Sequence, residues 1–441
     1  MHFARARSMM RRPTILRARV WLPRLFCGIV LMLAGTSVAA QISTLLIPMD
    51  DAQQDHLRAY GVTFQSIEMG VEVDWLLNYR GGSFILQHSA SVEQICRERG
   101  VSFELLSGAK TAILHRDVAD PEANMDAIRL ESTPTIAIYA PPTAQPWDDA
   151  VTMAMEYAGI PYETIWDDEV LDGTLASYDW LHLHHEDFTG QHGKFWATHR
   201  FETWYRDGVA LLEATAKRHG FAKVSGLKRA VAENIRSFVE EGGFLFAMCS
   251  ATDTYDIALS AHRTDIVPEI FDGDPVDEAM NEKLDFSRTL AFANFTAIGD
   301  PYRYEYATID VEIGRFGTAE SDRFALFDFA ARHDPVPTML TQSHTGVVAG
   351  FLGQTTAFDP AMIKPNVTVL GSLEENGQVK YMTGNLGRGS FTFYAGHDPE
   401  DYRHAIGDDP TDLAAHRNSP GYRLILNNVL FPGARKRERK T

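Results

Sequence analysis

Apolar positions along this chain follow two patterns, short unbroken runs that predict buried strands and spacings of three or four that predict helices. Ser43 to Pro48 reads as a strand and Asp51 to Met69 as a helix. Val71 to Leu77 and Ser83 to Leu86 read as strands around the Arg80-Gly81-Gly82 turn, Ser91 caps a helix through Arg99, and Val101 to Leu105 is another strand. Strands alternating with helices predict a small parallel α/β unit over residues 41–130, and the polar stretch Asp117 to Pro134 reads as a linker.

A larger α/β unit follows over residues 131–432. Thr135 to Ala140 is an apolar strand, Asp148 to Ala158 a helix, Tyr162 to Trp166 a short strand and Asp179 to His184 a third. The stripe Leu227, Val231, Ile235, Phe238, Val239 predicts an amphipathic helix ended by Gly242-Gly243. It delivers the chain to Phe244–Met248, the run expected of a parallel strand covered on both faces. Cys249 comes next, and then a helix through Leu259 with Ser250, Thr252 and Asp253 as capping oxygens. This succession predicts a doubly wound parallel sheet, whose ligand site lies beyond the carboxyl ends of its strands. Asp272 to Tyr306 shows no clear period and reads as an excursion over that face. Beyond it come strand signals at Thr338–Leu340 and Val367–Leu370, then a hairpin pairing Val379–Met382 with Ser390–Tyr394 across Gly384 to Gly389.

Cys249 thus falls at a strand end beside the positive end of a helix, a setting that lowers a thiol pKa. The competing reading is one more buried small residue. The hairpin's second strand runs into Gly396-His397-Asp398-Pro399-Glu400, which would supply a base, His397, and a group to orient it, Asp398 or Glu400. His182, His184, His185, Glu186 and Asp187 form the densest group of potential ligands and are expected to line the same cleft and meet substrate, together with Ser250, Thr252 and Asp253. Alternation puts His182 and His184 on one face and sends His185 to the other, so the expectation is a site without metal. A divalent ion on His182, His184 and Glu186 is the alternative. Trp75, Trp147, Trp180, Trp196 and Trp204 are candidates for stacking on a sugar, or for core.

Composition narrows the partners. The first forty residues hold seven Arg and no acid, then the apolar run Leu25 to Leu33 and Val38-Ala39-Ala40, the layout of a secretory signal peptide ending before Gln41. Its removal takes the formal net charge from −18 to −25, since those seven Arg have no acid to offset them. An acidic chain is a poor partner for nucleic acid, and the basic residues 433–441 read as a solvated tail. No later apolar stretch is long enough to span a bilayer. The expectation is a secreted or periplasmic protein with a small-molecule substrate and neither a nucleic-acid nor a membrane partner. Its oligomeric state is left open. After cleavage Cys96 and Cys249 remain, and a disulfide between them would consume the proposed nucleophile.

Two motifs carry a resemblance. Gly243 to Thr254, together with Gly387 to Tyr394 leading into Gly396-His397-Asp398-Pro399-Glu400, resembles the trehalose-utilisation (ThuA-like) branch of the class I glutamine amidotransferase-like superfamily, from about Thr135 onward. The resemblance implies a flavodoxin-like doubly wound sheet and an enzyme, a hydrolase on a sugar derivative or amide, with Cys249 as nucleophile, His397 as base and a carboxylate as orienter. It also implies an oxyanion hole from the amides after Cys249. Glu400 stands one position beyond the superfamily's His-x-Glu spacing. The alternative within the same fold is a binding protein for carbohydrate or another ligand, without chemistry. As a whole the chain resembles a secreted bacterial family commonly labelled asparagine synthetase B, through Ile47-Pro48-Met49-Asp50, Trp75 to Gly82 and His184 to Phe188. That label does not fit as chemistry, because the chain has no Ser-Gly-Gly-x-Asp-Ser loop for ATP and His2, not Cys, follows Met1.

Overall fold

Alternation along a single buried strand organises the molecule. In the computed structural model, which describes residues 42–143, 145–311, 323–341, 345–349, 353–401 and 405–434, the strand Phe244–Met248 is wholly buried. Phe244, Phe246 and Met248 face one apolar core, and Leu245 and Ala247 face another. The signal peptide expected over residues 1–40 lies outside the described residues, as do residues 435–441 of the basic tail.

The first sheet contains β1 (Ile42–Ile47), β2 (Val73–Leu77), β3 (Ser83–Gln87), β4 (Glu104–Ser107) and β5 (Asp126–Leu130), in the order β4-β1-β3-β2-β5. Every pairing in it is antiparallel, which corrects the expected parallel unit. The reason is local. Asn78 (φ 59°), Arg80 (φ 45°), Gly81 (φ 80°) and Gly82 (φ 83°) reverse the chain between β2 and β3 within a few residues, and so tight a turn can only join antiparallel neighbours. Helices α1 (His56–Glu68) and α2 (Ala90–Glu98) make the two crossovers, giving a split β-α-β arrangement. The expected linker is also corrected. Helix α3 (Gly108–Val118) runs into it, and β5, paired to β2, occupies it.

The second sheet contains β6 (Ile136–Tyr139), β7 (Glu163–Ile165), β8 (Trp180–Leu183), β9 (Phe244–Met248), β10 (Arg323–Leu326), β11 (Val347–Ala349), β12 (Thr368–Leu373), β13 (Val379–Leu386) and β14 (Gly389–Tyr394). Their order is β11-β10-β12-β13-β14-β9-β8-β6-β7. The run from β14 to β7 is parallel and the remainder antiparallel, so the fold is mixed α/β with two sheets. Thr338–Leu340, expected as a strand, lies in the helical turn Pro337–Leu340, where Pro337 sits at the first position that tolerates its missing N–H.

Helices α4 (Ala150–Ala158) and α7 (Pro420–Leu430) cover one face of the parallel run, and α5 (Val224–Glu241) and α6 (Ser250–Ser260) the other. Burying the α5 stripe Leu227, Val231, Ile235, Val239 is worth about 1.5–3 kcal/mol per side chain. The first sheet and the face holding Phe246 share one core, closed by α1, α4 and α7. Helices α1 and α4 cross so closely that Gly61 faces Ala158 O with no room for a Cβ. Helix α7 is buried from Gly421 to Leu430: Arg423 donates to Gly81 O at 2.7 Å, Asn427 to Thr341 O at 3.1 Å, and Trp180 Nε1 donates to Asn428 O at 3.1 Å. Among the described residues no helix is long and apolar enough to cross a membrane.

Candidate functional site

Cys249 ends β9 at φ 49° and ψ −139°, and α6 begins at the next residue. A strand that turns into a helix through one residue in so strained a conformation has the shape of a nucleophile elbow. The thiol, however, is wholly buried and accepts the backbone N–H groups of Thr355, Gln354 and Ser250. Burial outweighs those donors and pushes it up to about 11, which corrects the expected lowered value. Cys96, buried on α2, is likewise free, so the two cysteines form no disulfide.

The elbow helix instead holds the segment after β8. Ala251 N–H donates to His184 O at 3.2 Å, Ser250 Oγ to His185 O at 3.2 Å and Thr254 Oγ1 to Glu186 O at 2.9 Å. Ser250, Thr252 and Asp253, expected to meet substrate, are buried and engaged within the fold: Thr252 Oγ1 donates to Cys249 O at 2.7 Å, and Asp253 accepts from Thr355 Oγ1 at 3.1 Å. Burial raises the Asp253 carboxyl to about 7, and its Oδ2 meets no donor among the described residues.

Strand β8 ends at Leu183, so alternation governs His182 but not the residues beyond. This corrects the expectation that His184 and His185 part to opposite faces. Their rings stack with centroids 4.0 Å apart, and both stand against His397, at 4.6 and 4.2 Å. His397 follows the end of β14, and its Nε2 lies 3.8 Å from Asp148 Oδ1. The neighbouring Asp149 caps α4, its Oδ1 accepting the Val151 and Thr152 N–H groups at 2.8 Å. The same carboxylate lies 3.2 Å from His182 Nε2 and 3.3 Å from His184 Nδ1. Burial works to raise Asp149, but the two imidazoles outweigh it and hold the carboxyl well below the usual range. Sequence reading singles out neither Asp148 nor Asp149. The signal available for both is a pair of acids just ahead of an apolar helix that follows a strand end.

Other expected partners point elsewhere. Tyr422 OH donates to Asp398 at 2.6 Å, and Glu400 pairs with His416 at 3.2 Å. Glu186 accepts from the His184 N–H at 2.7 Å, and burial raises it to about 7. Asp187 accepts the Thr189 and Gly193 N–H groups at 2.7 and 3.0 Å and so shapes the following loop. The acid beside His182 and His184 is therefore Asp149 rather than Glu186.

Next to the histidines opens a cleft of about 110 Å³ with His185, Glu186 and Asp187 in its wall. Trp147 forms the opposite side, its ring 5.2 Å from His185, 5.4 Å from Trp204 and 5.5 Å from Phe195. Lys228 reaches the cleft but is held at 2.9 Å by both Asp167 and Tyr139 OH. Trp166 Nε1 and His192 Nδ1, on residues of the same lining, meet no partner among the described residues. Of the five tryptophans proposed for stacking, Trp147 and Trp204 line the cleft, Trp75 and Trp180 are core, and Trp196 packs on Tyr302.

No family model and no curated protein matches the chain. Solved structures similar to it include two proteins of Salmonella typhimurium described as cytoplasmic, 11% and 12% identical, with TM-scores of 0.34 and 0.35. They align over 69% and 68% of this chain and 100% and 99% of their own. A beta-galactosidase from Bacillus circulans sp. alkalophilus aligns over 62% of this chain and 30% of its own, at 11% identity and a TM-score of 0.24. Likenesses this distant carry no argument about the site.

Proposed function

We propose that the chain is a hydrolase for a small polar substrate, a sugar derivative before an amide, held in the aromatic cleft and cleaved where His185 and His397 stand. One observation carries this reading: His185 belongs both to the cleft wall and to the group containing His184 and His397. Aromatic faces suit the apolar face of a sugar ring, and the partnerless Trp166 Nε1 and His192 Nδ1 suit its hydroxyls. His397, with Asp148 beside it, is the group for proton transfer. Cys249 shapes the elbow that positions the histidine segment. The flavodoxin-like doubly wound fold belongs to the same proposal. Renumbered along the chain, the parallel run β7-β6-β8-β9-β14 has the order 2-1-3-4-5, and its direction switches between β6 and β8. Asp148 and Asp149 follow β6, and His184 and His185 follow β8, so in such a fold these residues would flank the crevice where ligands bind.

A second reading, a binding protein without chemistry, is favoured by the burial of Cys249. Hydrolysis of chromogenic glycosides and anilides by the wild type, His397→Asn and Cys249→Ala separates the two. The proposal expects the His397 variant to lose roughly a hundredfold or more in kcat, and Cys249→Ala to stay within a few fold. Loss in Cys249→Ala equal to that in His397→Asn would restore the cysteine as nucleophile. Sugar-dependent thermal shifts with no turnover of any substrate would establish the binding reading.

A further inference from the structure

We infer that Asp149, His182 and His184 form a site for one divalent cation of zinc-like preference. The three side chains approach one another closely: His182 Nε2 lies 3.2 Å from Asp149 Oδ2 and 3.4 Å from His184 Nδ1, and His184 Nδ1 lies 3.3 Å from the other Asp149 oxygen, Oδ1. Metal–ligand bonds of about 2.0–2.1 Å in a tetrahedron put the ligands about 3.3–3.4 Å apart. The two imidazole nitrogens already hold that spacing to each other and each to one oxygen of the Asp149 carboxylate, and an imidazole pair with one carboxylate is a donor set for zinc.

The far side of the group is built as a ligand support. His182 Nδ1 donates to Phe246 O at 3.0 Å, which fixes the ring and turns Nε2 toward Asp149. That nitrogen faces the Asp149 carboxylate inside a core where His182 is 0% and His184 2% exposed. On Asp149 the α4 cap engages Oδ1, which fixes the carboxylate plane and leaves Oδ2 toward His182. A backbone carbonyl behind an imidazole and amides behind a carboxylate are the outer contacts that orient metal ligands. Access is from the Asp149 side, where the side chain is 21% exposed.

Three protein ligands leave a fourth position for water or substrate, as at catalytic rather than structural zinc. His184 also belongs to the group with His185 and His397, so a water on the ion would sit beside the side chains proposed for proton transfer. The site itself does not rest on the hydrolytic reading, and its test reads metal rather than turnover.

Wild-type protein prepared without chelator should carry about one zinc per chain, and after chelation should take up one Co(II) with the intense visible absorption of a tetrahedral centre. Asp149→Asn keeps a capping oxygen for α4 but loses the charged ligand, so it should fold and bind Co(II) at least about tenfold more weakly. If it does not fold, His184→Asn gives the same comparison. Wild-type protein that takes up no Co(II) at a tenfold molar excess would overturn the site, as would a folded variant that binds Co(II) as the wild type does.

Discussion

Replacing Asp253 by Asn should stabilise the protein from about pH 6 upward and leave it nearly unchanged at about pH 4. Asp253 is wholly buried, accepts from Thr355 Oγ1 at 3.1 Å and from nearby backbone N–H groups, and burial outweighs these to raise its carboxyl from 3.8 to about 7. A raised folded value means that the folded state holds the proton more tightly than the unfolded state. The stability this proton contributes is complete below 3.8 and is lost as pH climbs to about 7. At about 1.4 kcal/mol per unit, the loss over that span is on the order of 4 kcal/mol. Asn has the shape of the protonated acid and does not titrate. The difference in unfolding free energy, variant minus wild type, should therefore start near zero at pH 4, reach roughly 3 kcal/mol at pH 6 and level off near 4 kcal/mol above pH 7. Urea melts of both proteins across that range measure it, and buried acids that do not feel Asp253, such as Asp256, raised by burial to about 6, are common to both and cancel. A difference that stays flat with pH would refute the reasoning, because it would mean that Asp253 titrates alike in the folded and unfolded chains.

The close crossing of α1 and α4 should make Gly61→Ala costly: its Cβ would fall 1.7 Å from Ala158 O, backbone against backbone, and separating the helices should cost at least about 3 kcal/mol in urea melts. An unchanged midpoint would show that the crossing is looser in solution. Both cysteines are buried, with Cys249 pushed up to about 11 and Cys96 to about 12, so a disulfide reagent at pH 7 should label neither until denaturant is added. Rapid labelling of Cys249 in native protein at pH 6 would revive the thiolate.

What could be read without coordinates was local. The stripe Leu227, Val231, Ile235, Val239 and the run Phe244–Met248 announce α5 and β9, because each carries its own period and its own stop signal. The direction of β3 was not legible in the same way, since it depends on left-handed conformations at Asn78 and Arg80 that neither residue demands. Strand β5, Asp126 to Leu130, passes for linker because it is an edge strand with Asp126, Ala127 and Arg129 away from the core. His184, His185 and His397 could each be singled out, but their meeting depends on β8 ending at Leu183. Asp149 joins His182 through the start of α4, a contact set by two segments distant in sequence and carried by no motif. The Cys249 turn was legible in shape and misleading in charge, because an elbow can be read from neighbours while desolvation depends on what covers it.

Helix α7 has a consequence for how the chain is made. It fills the space between the two sheets, with Arg423 bonded to Gly81 O and the carbonyl of Asn428 bonded to Trp180, yet it is synthesised after nearly everything it touches. A nascent chain would form β1 to β5 early and carry their apolar face only partly covered, by α1 and α4, until Pro420 to Leu430 leaves the ribosome. The two sheets should therefore lock together late and in one step, and a ribosome stalled before Pro420 should hold a chain that proteases cut and chaperones retain.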